Sequence, residues 1–311
     1  MLSGKKIIFP FYHAVENSNK THLRYLYKVK NERQFKNDLD YLLKVFKPIS
    51  VKDFIDGLYM KKREVFFLLT FDDGLSSFKE NVVPILLKRK ITAINFLNSK
   101  FIDNGDLFYR YKVSILIDKL ENFDNKTAKY KAVGRLLNVE KNNYKELKQK
   151  LLTLKFKDSL LIDEIASILH ISFEDFLKNE RPYLGAKDLI DLFNLGFQFG
   201  GHSIDHPLYN EINEEEQLHQ TIQSIDAVNN ITCQTQKIFS FPFSDDGVKS
   251  SLYMSLEEGS IISFGSAGIK NKIHKNHFQR IPMEYGSIYT AKQIIKGELF
   301  YYLLKKIFKI L

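Results

Sequence analysis

Apolar residues fall into two alternating patterns along the chain. Short apolar, β-branched or aromatic runs predict buried strands over 7–12, 65–71, 92–97, 197–201, 238–241, 261–264 and 278–281. Between them the spacing is helical. Phe35, Leu39, Leu42, Leu43 and Phe46 predict a helix over 31–47. Further helices are predicted over 78–90, 213–229, 248–258 and 290–309, with Pro84 near the start of the regular part of its helix. Short strands alternating with helices indicate parallel βα units. About seven or eight such units predict an α/β fold, a closed but distorted (β/α) barrel of about seven strands.

Residues 107–196 break the alternation. They are Lys-rich, Leu-spaced and short of strand signals, which predicts a helical insertion at about 107–185 followed by a barrel helix near 186–195. Residues 1–311 are therefore expected to form a single domain carrying that insertion, without sequence repeats or low-complexity tracts.

Composition narrows the class. A chain 44% hydrophobic and 27% charged is an ordinary globular one, not a disordered one. Lys+Arg 46 against Asp+Glu 37 leaves +9, a balance that suits a membrane surface, a nucleic acid or an acidic glycan. The lysines are scattered and no nucleic-acid module occurs, so no nucleic-acid partner is expected. A single cysteine, Cys233, excludes an internal disulfide, in keeping with a reducing compartment or a disulfide-free exported chain. The opening MLSGKKIIFPFYHAV reads as a first strand rather than a secretion signal. No stretch approaches the roughly 18 apolar residues of a spanning helix. A cytoplasmic location, at the inner membrane surface if anywhere on a membrane, is the expectation.

Two segments carry chemistry. In Leu68-Leu69-Thr70-Phe71-Asp72-Asp73-Gly74 an apolar strand ends in two adjacent carboxylates and a glycine. Such a sequence is also an ordinary polar turn. Residues leaving a strand diverge, so one carboxylate can bind a metal while its neighbour acts as a base. In Gly200-Gly201-His202-Ser203-Ile204-Asp205-His206-Pro207 two histidines stand four apart. On one helical turn both imidazoles would reach one cation, and Pro207 keeps that turn short. One Asp and two His make three ligands, the number that leaves a catalytic Zn site room for water.

TFDDG at 70–74 and HSIDH at 202–206 resemble the first two motifs of the polysaccharide deacetylases, carbohydrate esterase family 4 with its NodB-homology domain. The resemblance spans most of the barrel. It implies a distorted (β/α) barrel, Asp72 as catalytic base, and Asp73, His202 and His206 as metal ligands. The implied reaction is metal-dependent hydrolysis of an N-acetyl group on an amino sugar.

Later motifs depart from the commonest pattern. The usual Arg-x-Pro-Tyr segment stands here as Ser240-Phe241-Pro242-Phe243, without the arginine but with Pro242 and Phe243 as substrate-side residues. No Leu-x-Leu-His occurs near the C-terminus. A circularly permuted branch of the family carries its catalytic-acid histidine in an N-terminal Tyr-His segment, and Phe11-Tyr12-His13-Ala14-Val15 is similar to it. Otherwise His13 is a buried histidine satisfied by backbone. Arg280, in Arg280-Ile281-Pro282-Met283-Glu284, either replaces the missing arginine and holds Asp72 or forms a structural salt bridge with Glu284 or another acid. Asp245 and Asp246 read as turn and helix-start residues, and Glu214, Glu215 and Glu216 as a solvated helix start.

The mechanism the resemblance implies has a cation polarise the acetamide and Asp72 deprotonate water. The oxyanion is held by the cation and a backbone N–H near Phe243, and His13 protonates the departing amine. The expected cofactor is a divalent metal, Zn first, with Co, Ni or Fe also suited to the donor set. Expected partners are an N-acetylated glycan, or a lipid-linked or nucleotide-linked amino sugar. Two other functions remain open: a deformylase acting on a lipid-linked amino sugar, and an inactive glycan-binding barrel. A Ser-His-Asp hydrolase using Ser203 lacks any G-x-S-x-G elbow. Residues 298–304 read as a barrel helix. Beyond Leu304, lysines alternating with Ile307, Phe308, Ile310 and Leu311 suit a peripheral contact with anionic headgroups.

Overall fold

The computed structural model describes residues 4–124, 127–139, 143–270, 274–285 and 289–308. The chain forms two compact units. One comprises Met1–Asn17, Val29–Asp103 and Pro182–Leu311, the other Ser18–Lys28 and Asn104–Arg181.

The first unit is a parallel barrel. Its strands are β1 (Ile7–Ile8), β2 (Pro10–Tyr12), β3 (Lys47–Pro48), β4 (Phe66–Phe67), β5 (Leu69–Phe71), β6 (Ala93–Leu97), β7 (Gln198–Gly201), β8 (Ile238–Ser240), β9 (Ile262–Gly265), β10 (His277–Gln279) and β11 (Ile281–Pro282). The main sheet runs β10-β9-β8-β7-β6-β5-β2-β11. Its pairings among the described residues are parallel, with Phe278 opposite Phe264 at one end of the row and Ile281 opposite Pro10 at the other. Those two ends are separated along the chain by Arg280 alone. The row therefore closes on itself. β1 with β2, β4 with β5, and β10 with β11 are successive pieces of single runs, so the ring has seven staves among the described residues. β3 adds a short parallel edge beside β4.

Strand alternation sorts the core into layers. Phe9, Leu68, Ile94, Phe96, Ile238 and Phe264 share one buried cluster, closed by Val51 and Phe54. Their neighbours Ile8, Phe67, Leu69, Ala93 and Leu97 belong to a second cluster that packs against the helices.

The helices follow their sequence signals. In α1 (Glu32–Val45), Asn31 accepts a hydrogen bond from the Gln34 N–H, and the Gln34 side chain accepts from the Asn31 N–H. Phe35, Leu39 and Leu42 line its buried face. A short α2 (Val51–Ile55) brings Phe54 to the barrel floor. A π-helical turn at Phe78–Val82 leads into α3 (Val83–Lys88), where Pro84 sits in the first turn.

The second unit contains α4 (Tyr109–Glu121), α5 (Ala128–Leu136), α6 (Tyr144–Leu152), α7 (Ser159–Leu169) and α8 (Phe173–Glu180). Leu116, Val133, Leu147, Leu151, Ile162 and Ile165 form its core. The segment 18–28 joins this unit from a distant part of the sequence, through Arg24–Asp118 at 2.6 Å and the His22 ring packed edge-on against Tyr111.

Back in the barrel, α9 (Ala186–Asn194) precedes β7, α10 (Glu214–Thr232) follows it, and α11 (Ser250–Glu258) lies between β8 and β9. α10 approaches β7 so closely that a Cβ on Gly201 would stand 2.9 Å from the Ile225 nitrogen. The last helix, α12 (Ala291–Ile307), buries Ile294, Ile295 and Tyr302. Within the stretch read as barrel-packed, Phe300 and Tyr301 instead face outward, 64% and 56% exposed. Ile307 and Phe308 are also exposed, and Ile310 and Leu311 lie outside the described residues. No helix among the described residues is long and apolar enough to cross a membrane.

Candidate metal centre and active site

The site is assembled where the staves end. Asp72 stays on the ladder, its N–H donating to the Tyr12 carbonyl at 3.0 Å. The chain then turns sharply. Asp73 has φ 70° and Gly74 φ 63°, so the two carboxylates leave the strand in different directions. A left-handed aspartate is uncommon and marks a conformation that the surroundings must enforce.

β7 delivers His202, whose N–H donates to the Leu97 carbonyl at 2.8 Å. The expected helical turn between the histidines does not form. Ser203 and His206 have φ 69° and 65°, and the segment is an irregular bend. The Ser203 hydroxyl accepts the His206 N–H at 3.0 Å, a side-chain turn that replaces the helical hydrogen bond. Two buried amides brace this bend. Gln220 of α10 accepts from the Ile204 N–H at 2.8 Å and donates to Asp205 at 3.0 Å. Asn98 donates to the His202 carbonyl.

The bend still brings the imidazoles together. One ligand atom each from Asp73, His202 and His206 lies within 4.8 Å of the others, and all three residues are buried. Asp73 Oδ1 is 3.4 Å from His206 Nε2 and 3.8 Å from His202 Nε2. His202 Nδ1 lies 2.8 Å from the Ser240 carbonyl. A carbonyl only accepts, so Nδ1 carries the proton and Nε2 presents its lone pair. Burial lowers the His202 pKa to about 4, which keeps that ring neutral. Burial also disfavours the Asp73 carboxylate, yet His206, His13 and His202 outweigh it and the net shift is downward. An oxygen and two imidazole nitrogens that converge in one buried spot fit a divalent cation.

Asp72 faces a different partner. Arg280 Nη1 and Nη2 donate to Asp72 Oδ1 and Oδ2 at 2.7 and 2.8 Å, a bidentate pair. Arg280 is fully buried, between the Phe11 ring at 4.3 Å and the Phe96 ring at 5.2 Å. Its remaining donors reach the Gly265 carbonyl at 3.1 Å, Ser240 Oγ at 2.6 Å and Thr70 Oγ1 at 3.3 Å. Burial pushes the Asp72 pKa up, but Arg280, with His202 and His13, outweighs it, and the net shift is downward, which keeps Asp72 ionised.

Glu284 pairs with His13 rather than with Arg280. His13 Nδ1 is 2.5 Å from Glu284 Oε2, and the same carboxylate accepts the backbone N–H groups of His13 and Ala14 at 3.0 and 3.2 Å. Burial pulls the His13 pKa down, but Glu284, with help from Asp73 and Asp72, raises it to about 9. The His13 side chain keeps 20% of its exposure, so a protonated, partly open imidazolium stands close to both carboxylates.

Phe243 reaches the centre from the loop after β8. Its ring packs edge-on against His206 at 4.5 Å, its φ is 57°, and Pro242 beside it is buried. Asp245 lies elsewhere, bound by His277, Gln279 and Tyr253. Glu214, Glu215 and Glu216 open α10, with Asn213 capping it. Sequence reasoning missed Glu284 as the histidine's partner, and also Gln220 and Asn98. Glu284 alone had a local signal, a carboxylate shortly after the strand that bears Arg280.

No protein-family model and no curated protein sequence matches the chain. Solved structures do. Streptococcus pyogenes deacetylase PplD in complex with acetate is 12% identical over 93% of this chain and 96% of its own, with TM-score 0.60. IcaB from Ammonifex degensii is 14% identical over 95% and 98%, with TM-score 0.59. BC0361, a polysaccharide deacetylase from Bacillus cereus, is 11% identical over 94% and 68%, with TM-score 0.56. The chain has the fold of the polysaccharide deacetylases.

Proposed function

We propose that this chain is a divalent-metal-dependent hydrolase that removes an N-acetyl group from an amino sugar in a glycan or in a lipid- or nucleotide-linked precursor. The observation that carries the reading is the division of labour between adjacent residues. Asp72 is tied to Arg280, while Asp73 converges with His202 and His206.

Asp73, His202 and His206 would hold a divalent cation, Zn first among the candidates, which would supply Lewis acidity at the acetamide carbonyl and lower the pKa of water. Asp72 is the base. Its oxygens are fixed by Arg280 and its charge is maintained, so it accepts the proton of the attacking water without reorienting. His13 is the acid. Glu284 occupies Nδ1, which leaves the Nε2 proton for the amine nitrogen as the C–N bond breaks. Phe243 and Pro242 form the substrate-side wall next to His206.

The test is acetate release from N-acetylglucosamine oligomers by metal-free protein reloaded with Zn, Co or Ni. Release that needs metal and is lost in Asp72→Asn and His13→Ala supports the reading. No release with any metal, or release indifferent to both substitutions, overturns it. Formate from N-formylated sugars, with no acetate from acetylated ones, would redirect it to a deformylase.

A further inference from the structure

One sector of the barrel wall has no helix among the described residues. Between β9 and β10 the described residues, 266–270 and 274–276, form no helix. A parallel sheet normally has both faces covered by its crossover helices. Here a cavity of about 480 Å³ adjoins that sector. That is within the usual span of small-ligand pockets, roughly 300–1,000 Å³.

The cavity runs beside β10 and β11. His277, Phe278, Gln279 and Ile281 line it, whereas Arg280, between them, reaches Asp72. Ile8, Ile269 and Ile281 supply an apolar floor. The single carboxylate among the lining residues, Asp245, is already bound to His277 at 3.1 Å and Tyr253 at 3.3 Å as well as to Gln279. Against it stand three cations, Lys5, Lys6 and Lys270. Lys5 is held in place, its ammonium on the Lys270 carbonyl and 5.3 Å from the Tyr302 ring centre. Lys6 donates to the Lys62 carbonyl at 2.9 Å. An apolar floor with an excess of positive charge complements a ligand that is apolar along its body and doubly negative at one end.

We propose that this cavity binds an amphiphilic anion, a phosphate monoester bearing an apolar chain. The phosphate meets Lys5, Lys6 and Lys270, and the chain lies on Ile8, Ile269 and Ile281. The proposal does not depend on the hydrolytic reading, because none of these residues belongs to the metal centre or holds Asp72.

Calorimetric titration of the full chain with decyl phosphate, below its micelle concentration, tests it. The expected result is saturable one-to-one binding. Inorganic phosphate and decyl maltoside should each bind at least tenfold more weakly. Lys6→Glu combined with Lys270→Glu should weaken decyl phosphate at least tenfold. Lys150→Glu with Lys157→Glu, a charge-matched pair in the other unit, should not. Circular dichroism verifies that both variants fold. Equal binding of decyl maltoside removes the anion requirement, and equal binding of inorganic phosphate removes the chain; either overturns the proposal. So does an absence of saturable binding, or an equal loss in both variants.

Discussion

Arg280 grips both oxygens of Asp72 across 208 residues of sequence, at 2.7 and 2.8 Å. The pair is buried, with side-chain exposures of 1% and 4%. Removing one partner of such a pair strands the other charge, which costs about 3–5 kcal/mol. Arg280→Met should lose stability on that scale in urea denaturation. Arg280→Lys keeps a charge but not the fork. It should fold and retain Zn, with kcat reduced at least tenfold and KM little changed.

The metal site predicts a separable defect. His206→Ala should leave the circular dichroism spectrum intact and weaken Zn binding by at least about 10²-fold, read by competition with a chromophoric chelator. Asp72→Asn should bind Zn normally while kcat falls roughly 10²–10⁴-fold, the usual worth of a general base.

On the proposed mechanism Glu284 should set the alkaline limit of activity. The His13 pKa is raised to about 9, and an acid must be protonated to act. Activity should therefore be present below that pKa and lost as pH rises through it. Glu284→Gln removes the charge that raises the pKa, so the alkaline limb of kcat/KM should move to lower pH by at least a unit. An unmoved limb would assign it to another group.

Asp38 ties three elements together. It accepts from Lys30, from the Tyr12 hydroxyl and from the Ala291 N–H that opens α12. Lys30 and Asp38 are 1% and 2% exposed. Asp38→Ala should destabilise the protein by about 3–5 kcal/mol, because Lys30 is left buried without its counter-charge. Urea denaturation of metal-free protein measures this without reference to activity.

Much of this architecture was legible in the sequence because its signals are local. Strand 93–97 is a short run broken only by Asn95, and α1 carries both a capping box and a periodic face. The convergence of Asp73, His202 and His206 was legible because Asp73 and the histidine pair each sit at a strand end. The helical turn expected between His202 and His206 was not borne out. Their four-residue spacing fits several backbones, and the Ser203 hydroxyl favours a bend with left-handed residues. The partners of His13 and Asp72 were beyond periodicity, since Glu284 is 271 positions from His13. Arg280 and Glu284 were recognised as a nearby pair of opposite charges, yet the structure sends them to different partners. Gln220 and Asn98 left no trace at all, because a buried amide on a helix or after a strand reads as surface until its neighbours are known. Phe300 and Tyr301 of α12 show the converse, apolar residues that periodicity assigns to a core but that face outward.

The closure of the ring through residues 277–282 also sets an order of events during synthesis. A chain emerging from the ribosome presents Asp72, Asp73, His202 and His206 before the closing stave exists. Until Arg280 arrives, Asp72 lacks its bidentate partner, and burying it would cost several kcal/mol. The half-made barrel therefore resists completing its polar centre early, and β2 keeps an unpaired edge until β11 docks on it. Ring closure and the seating of Asp72 on its guanidinium are thus coupled through a single residue.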